Sequence, residues 1–157
     1  MTMDRATAAA ITIRPVHDAD AVQSCFPLMA QLRPELAGAA AWVSYWQRQS
    51  ERGYRLAGLY MDEELKALAG YRIQENLVHG QFMYGDDLVT DASARGQGHG
   101  EALVGYLRTE AGRLGCSKLV LDTPLGNQLG HRFYFRCGLL ATSLRFVEPI
   151  ASAAARQ

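Results

Sequence analysis

Three glycines alternate with polar residues in Arg95-Gly96-Gln97-Gly98-His99-Gly100, directly before a helical pattern. Glycine has no side chain to keep an anion at a distance, and it adopts backbone angles that expose several N–H groups together. The first N–H groups of a helix have no intrahelical acceptor, and the helix dipole adds partial positive charge there. Together with the charge of Arg95, the segment predicts a site for a phosphate or diphosphate.

Two familiar nucleotide-binding patterns do not fit this glycine loop, residues 95–100. The dinucleotide fingerprint G-x-G-x-x-G/A requires glycine or alanine where the chain has Glu101 in one frame and Leu103 in the other. A Walker-type loop requires a Gly-Lys-Ser/Thr, which does not follow. A tight turn that uses glycine only for packing is the weakest alternative, because it leaves the alternation and the arginine unexplained.

The elements that must position the loop can be predicted from hydrophobic periodicity. We expect one helical stretch over 18–32 to be kinked or shortened by Pro27, which lacks a backbone N–H. Gly115 and Gly138 are placed to end the third and fourth helices. The remaining helical patterns cover 39–52, 102–114 and 127–137, and the strand patterns cover 11–14, 54–61, 66–74, 81–90, 118–122 and 140–147.

This order of elements predicts an α/β fold with one mixed sheet. The strands on either side of the helix after the glycine loop form a βαβ crossover and should be parallel, whereas the earlier hairpins are antiparallel. We therefore expect a mostly antiparallel sheet with a central parallel pair and helices on both faces. The expected domain covers residues 10–150, with flexible tails at 1–9 and 151–157.

Composition excludes several classes of function. The chain has 157 residues, and its 16 basic side chains balance 16 acidic ones, which argues against nucleic acid as a partner. No apolar run is long enough to span a membrane, and no signal core begins the chain, so we expect a cytoplasmic protein. No two of the four histidines are three or four residues apart, so we expect no metal site.

The glycine loop resembles the signature of the GNAT superfamily of N-acetyltransferases, Gln/Arg-x-x-Gly-x-Gly/Ala, through Arg95, Gly98 and Gly100. A later family motif, Asn-x-x-Ala-x-x-Phe-Tyr-x-x-x-Gly-Phe, is matched independently. Its matching residues are Asn127, Phe133, Tyr134 and Gly138, while Gly130 replaces alanine and Leu139 replaces phenylalanine. The resemblance covers residues 11–147 and implies the GNAT fold.

The resemblance also implies a cosubstrate, acetyl-CoA, and the residues that hold it. The loop amides from Arg95 through Gly96, Gln97, Gly98 and His99 to Gly100 would hold the diphosphate. The backbone of Leu88, Val89 and Thr90 would pair with the pantetheine arm, as a peptide adds to an open strand edge. Asn127 either caps its helix or bonds to the coenzyme arm, and both roles stay open.

The implied reaction is direct attack of a primary amine on the acetyl thioester. Tyr134 occupies the family position of the proton donor to the leaving thiolate. Asp86 or Asp87 is the expected general base, and because neighbours on a strand face opposite sides, only one of them should reach the amine. Asp122 is a third candidate for the general base. A chain of water molecules without a dedicated base is a further alternative.

Acetyl-CoA and an amine acceptor are thus the expected partners, and a homodimer stays an open alternative. The acceptor pocket is expected around residues 32–35, with Trp42, Tyr45 and Trp46 as further candidates. A coenzyme-A-binding sensor without turnover is the main competing class, and a nicotinamide-dependent oxidoreductase is a third.

Overall fold

A computed structural model describes residues 9–152 of the chain. It contains two compact units, one ending at Leu121 and the other beginning at Asp122. Apart from their innermost residues, the two predicted tails lie outside the described residues. None of the described helices is both long and apolar enough to cross a membrane.

The first unit is built on a five-stranded sheet of order β1-β2-β3-β4-β5. All neighbouring pairs are antiparallel except β4 and β5, which are parallel. This confirms the predicted mixed sheet. The strands are β1 (Ile11–Val16), β2 (Arg55–Met61), β3 (Glu64–Asn76), β4 (Gly80–Thr90) and β5 (Lys118–Leu121).

Helices cover both faces of this sheet, as predicted. The helices are α1 (Ala19–Ser24), α2 (Phe26–Leu32), α3 (Ala39–Ser50) and α4 (His99–Arg113). Alternate strand residues supply two cores: Leu56, Leu68 and Val89 pack with α1–α3, whereas Ala57, Ala69 and Met83 pack with α4. The period of two along each strand therefore sorts apolar side chains between two helical layers.

Pro27 divides the predicted first helix into α1 and α2. Pro27 lies in the first turn of α2, where its missing N–H removes no helical hydrogen bond. Cys25 lies between the helices, and its N–H contacts the carbonyl oxygens of Ala21 and Val22 at 3.2 and 3.0 Å. The predicted kink is therefore a full interruption of the helix.

A β-bulge at Asp86 changes the geometry of β4. Gly70 of β3 pairs with Asp87, but the next residue, Tyr71, pairs with Gly85, which leaves Asp86 as an extra residue on β4. A bulge locally cancels the alternation of side chains along a strand. This is the feature of the fold with the most direct consequence for the candidate site.

The second unit contains one helix, α5 (Gln128–Arg136), followed by irregular chain. Gly138 follows α5 with a φ of 88°, which confirms it as the helix stop. The strand predicted over 140–147 is wrong, because residues 139–152 form no strand and residues 140–150 are all exposed. Alternating apolar residues produce a strand only where a neighbouring strand accepts their backbone hydrogen bonds. Because residues 140–147 add no sixth strand, the parallel pair of β4 and β5 lies at the edge of the described sheet and not at its centre.

Candidate active site

The glycine loop lies between the end of β4 and the start of α4, after a short 3₁₀ turn at Ala92–Ala94. Gly96 and Gly98 have φ values of 78° and 81°, which other residues adopt only with strain. A Cβ added at either glycine would meet no atom within 4 Å, so both face open space. The side chains of Arg95 and Gln97 are exposed.

The backbone N–H groups of this loop are available to a ligand. Among the described residues, none accepts a hydrogen bond from the amides between Arg95 and Glu101. The first loop-associated bond runs from the Ala102 N–H to the Gly98 carbonyl, and it begins the helix. Unpaired amides at the start of the 15-residue helix α4 form a site for an anion.

The ring of His99 is not part of the exposed surface of the loop. The residue is 3% exposed, and neither ring nitrogen has a hydrogen-bond partner among the described residues. His99 is thus buried at the first position of α4, where the glycine loop enters the helix.

One edge of β4 is open beside the loop. The β4–β5 pairing ends at Gly85 and Leu121, while the β3–β4 pairing continues to Thr90. Within residues 9–152, β4 thus has a strand neighbour on one side only from Asp86 to Thr90. Leu88 and Val89 pack into opposite cores, so their side chains are structural and leave the backbone edge to a ligand.

Asp86 and Asp87 lie on the same face of the sheet, contrary to the alternation expected from the sequence. Asp86 Oδ2 accepts a 2.9 Å hydrogen bond from Arg72, whose guanidinium lies over the Tyr54 ring. Asp87 Oδ2 accepts a 2.6 Å hydrogen bond from the Tyr54 hydroxyl. The bulge at Asp86 is the cause, because it removes one step of the alternation.

Asp87 is held more completely than Asp86. Its other oxygen, Oδ1, accepts hydrogen bonds from Nε and Nη2 of Arg33 at 3.0 and 2.8 Å, and its side chain is 9% exposed. Burial, followed by the Asp87 carboxylate, raises the pKa of Tyr54 well above its ordinary value, so Tyr54 stays a neutral donor. Burial also raises the pKa of Asp86, against the opposing effect of Arg72.

A cavity of about 170 Å³ opens beside Asp87 on the face covered by α1–α3. Sequence reasoning anticipated several of its lining residues but missed Met29 and Leu36, which carry no polar signal. The lining consists of Met29, Leu36, Trp42 and Tyr45, together with the charged Arg33, Glu35 and Asp87. Trp46, a further candidate, packs against the core and does not line the cavity.

In the second unit, Tyr134 is half-buried on α5, edge-on to Phe133 with ring centroids 5.1 Å apart. Burial raises the pKa of Tyr134 above its ordinary value. Asp122, the alternative base, forms an ion pair with Arg145.

Asn127 forms the helix cap that was one of its two predicted roles. Its Oδ1 accepts a 3.0 Å hydrogen bond from the Gly130 N–H, and its Nδ2 donates to Thr123 Oγ1 at 3.0 Å. A Cβ on Gly130 would lie 2.3 Å from Asn127 Nδ2, so this side-chain position depends on glycine. The coenzyme contact of Asn127 stays a prediction.

Comparison with known proteins identifies the family. Residues 13–139 match the model of the acetyltransferase (GNAT) family. The chain belongs to the GNAT acetyltransferase family. It is 30% identical over 130 residues to the uncharacterized N-acetyltransferase YhdJ of Bacillus subtilis (strain 168), covering 80% of this chain and 89% of that protein.

Solved GNAT acetyltransferases share the fold of this chain. Ribosomal-protein-alanine N-acetyltransferase from Brucella melitensis biovar Abortus 2308 matches with a TM-score of 0.77 and 21% identity, over 90% of this chain and all 100% of that one. Aminoglycoside N-acetyltransferase AAC(6')-Iy in complex with CoA matches with a TM-score of 0.78 and 16% identity, over 94% and 99% of the chains. The structure of the same enzyme with a bisubstrate analogue, CoA-S-monomethyl-acetylneamine, matches with a TM-score of 0.79 and 16% identity. This match covers 92% of this chain and 100% of that one.

Proposed function

We propose that this GNAT acetyltransferase moves an acetyl group from acetyl-CoA to a primary amine by direct attack. The observation that carries the proposal is the set of unpaired amides from Arg95 to Glu101, next to the open edge of β4. Coenzyme A has two features that this surface complements. Its diphosphate is an anion that fits the loop, and its extended pantetheine arm carries amides that fit the strand edge.

The loop has open space in which a bound diphosphate would fit. Gly96 and Gly98 would direct any Cβ into open space, where a bound diphosphate requires room. The amides of Gly98, His99 and Gly100 would donate to its oxygens, and Arg95 would add a charge. Leu88, Val89 and Thr90 would present the open backbone edge of β4 to the pantetheine amides.

Acetyl-CoA supplies an acetyl thioester, whose carbonyl carbon the amine nitrogen attacks; a C–N bond forms and the C–S bond breaks. An alkylamine with a pKa near ~10 is mostly protonated at neutral pH, so a base must accept a proton. The departing sulfur takes a proton from Tyr134, and the second proton that the nitrogen loses, once the C–N bond has formed, restores the phenol. The raised pKa of Tyr134 keeps the phenol protonated and able to donate at neutral pH.

Of the two strand acids, Asp86 is the better proton acceptor. Its Oδ1 accepts no hydrogen bond from the described residues, and its raised pKa makes the carboxylate more basic than an exposed one. Asp87 has both oxygens engaged by Arg33 and Tyr54 and lies on the cavity wall. We therefore assign proton removal to Asp86 and a positioning role to Asp87.

Calorimetry with acetyl-CoA tests the proposal through two matched glycine variants. Gly98→Ala places a methyl group in the open space of the loop and strains its φ of 81°. Gly105→Ala adds the same methyl to the middle of α4, where it also meets nothing within 4 Å. Loss of one or two charge-assisted hydrogen bonds should weaken acetyl-CoA binding about 10- to 100-fold in Gly98→Ala.

The control Gly105→Ala should bind acetyl-CoA like the unaltered protein. Equal affinity of all three proteins would place acetyl-CoA elsewhere and overturn the assignment of the loop. Release of free thiol from acetyl-CoA in the presence of primary amines then tests turnover. Tight binding without release for any amine would instead support a coenzyme-A sensor.

A further inference from the structure

The cavity beside Asp87 has a size that limits the part of an acceptor that it can hold. Its volume of about 170 Å³ is close to the ~150 Å³ of an engineered apolar cavity that holds benzene in another protein. The cavity is open to solvent on one side, and its enclosed part therefore accommodates a body of about one six-membered ring. Because Asp87 belongs both to the cavity wall and to the open segment of β4, a molecule in the cavity lies next to that strand edge.

The apolar part of the wall favours an apolar body. Trp42 and Tyr45 stack with ring centroids 6.0 Å apart, and Met29 and Leu36 complete this side of the cavity. Hydroxyl groups buried here would lose water and find few partners, because Trp42 Nε1 already donates to the Val22 carbonyl and only the Tyr45 hydroxyl remains among these four side chains. A sugar ring with several hydroxyls is therefore a poor occupant.

The charged part of the wall favours a cation. In the cavity lining, Arg33 faces two carboxylates, Asp87 and Glu35, so the lining carries one negative charge in excess when all three are ionised. Arg33 is hydrogen-bonded to Asp87. Glu35 interacts with the charge of Arg33, but no described residue donates a hydrogen bond to it.

We propose, building on the proposed acetyl transfer, that the acceptor is a compact monoamine. It consists of one primary ammonium group on an apolar body of about one ring. Glu35 attracts the ammonium group, and Trp42, Tyr45, Met29 and Leu36 enclose the body. An acceptor with a phosphate or carboxylate group is disfavoured, because the arginine of the wall is already engaged by Asp87.

A panel of acceptors tests this substrate class. We expect kcat/KM for 2-phenylethylamine to exceed that for glucosamine 6-phosphate, neamine or a tetrapeptide α-amine by at least about tenfold, since misplaced polar groups cost at least that much. Faster transfer to any of these three would overturn the compact monoamine and leave the acetyltransferase intact. Binding of acetyl-CoA with transfer to no amine would overturn the proposed function itself.

Glu35→Gln examines the charge of the wall. We expect KM for 2-phenylethylamine to rise about three- to fivefold, in line with one ion pair at the exposed Glu35, and Kd for acetyl-CoA to stay unchanged. Glu75→Gln is the control, because Glu75 is exposed on β3 and outside the cavity lining. An unchanged KM in Glu35→Gln would remove Glu35 from the acceptor site.

Leu36→Phe examines the size of the cavity independently of charge. The larger side chain should reduce kcat/KM for 2-phenylethylamine much more than for n-propylamine. A folding defect would lower both values together, so the ratio of the two carries the result. A ratio equal to that of the unaltered protein would show that the cavity does not hold the acceptor body.

Discussion

Tyr54 donates a 2.6 Å hydrogen bond to Asp87, reaching across β3 at Gly70. Tyr54 precedes β2 and Asp87 lies on β4, so the bond connects chain segments on both sides of the intervening strand. Together with Arg33, it holds a nearly buried carboxylate in one orientation. The wall of the candidate acceptor cavity therefore depends on a residue that does not line it.

Tyr54→Phe should destabilise the fold by about 1–3 kcal/mol, because it leaves one oxygen of a buried carboxylate without its donor. Urea unfolding measures this change. Tyr60→Phe is the control, since Tyr60 is only partly buried and Arg14 covers its ring, which the variant retains. Equal stability of the Tyr54→Phe variant and the unaltered protein would mean that the hydrogen bond contributes nothing net.

Gly70→Ala should be destabilising by about 1–3 kcal/mol through overpacking. The added Cβ would lie 2.1 Å from the Tyr54 hydroxyl oxygen and 2.8 Å from Asp87 Oδ2, so this contact must break or β3 must move. Thermal unfolding compares it with Gly112→Ala, whose methyl would meet no atom within 4 Å. A Gly70→Ala protein as stable as Gly112→Ala would contradict the described packing.

Tyr134→Phe should lower kcat about 100-fold, the usual effect of losing a general acid, with Kd for acetyl-CoA nearly unchanged. Phe135→Tyr is the control, because Phe135 is the exposed neighbour on α5. Retention of full kcat in Tyr134→Phe would exclude the phenol as proton donor.

The pH dependence of kcat gives a separate test of Tyr134. A proton donor acts in its protonated form, so its contribution is present below its pKa and is lost as the pH rises through that value. Because burial raises the pKa of Tyr134, this loss should fall above the ordinary ~10. The alkaline decline should disappear in Tyr134→Phe and persist in Phe135→Tyr. An identical alkaline limb in both variants would assign the decline to another group.

Asn127 and Gly130 should be energetically coupled. In the unaltered protein, Asn127→Ala should cost about 1 kcal/mol through loss of the α5 cap. In a Gly130→Ala background it should cost close to nothing, because the new Cβ has already displaced the Asn127 side chain. A double-mutant cycle by urea unfolding measures the difference, and additive effects would contradict the dependence of the cap on glycine.

Local chemistry allowed much of this protein to be predicted from its sequence. The glycines of the loop, Pro27 between α1 and α2, and Gly138 after α5 act through their own backbone restrictions, which do not depend on distant residues. Hydrophobic periodicity also predicted the helices and the first five strands, because it depends only on the order of apolar residues along the chain. The match of Tyr134 to the family motif could likewise be recognised without the tertiary structure.

Tertiary structure alone decided which of these residues meet. The bulge at Asp86 arises from the pairing of β4 with Gly70 and Tyr71, and no local sequence pattern marks it. Asp86 and Asp87 therefore share a face of the sheet, whereas strand alternation predicted opposite faces. Met29 and Leu36 line the cavity only because α2 and the following turn pack beside Asp87. Residues 140–147 have the alternation of a strand but no pairing, since a strand is completed by hydrogen bonds from elsewhere in the chain.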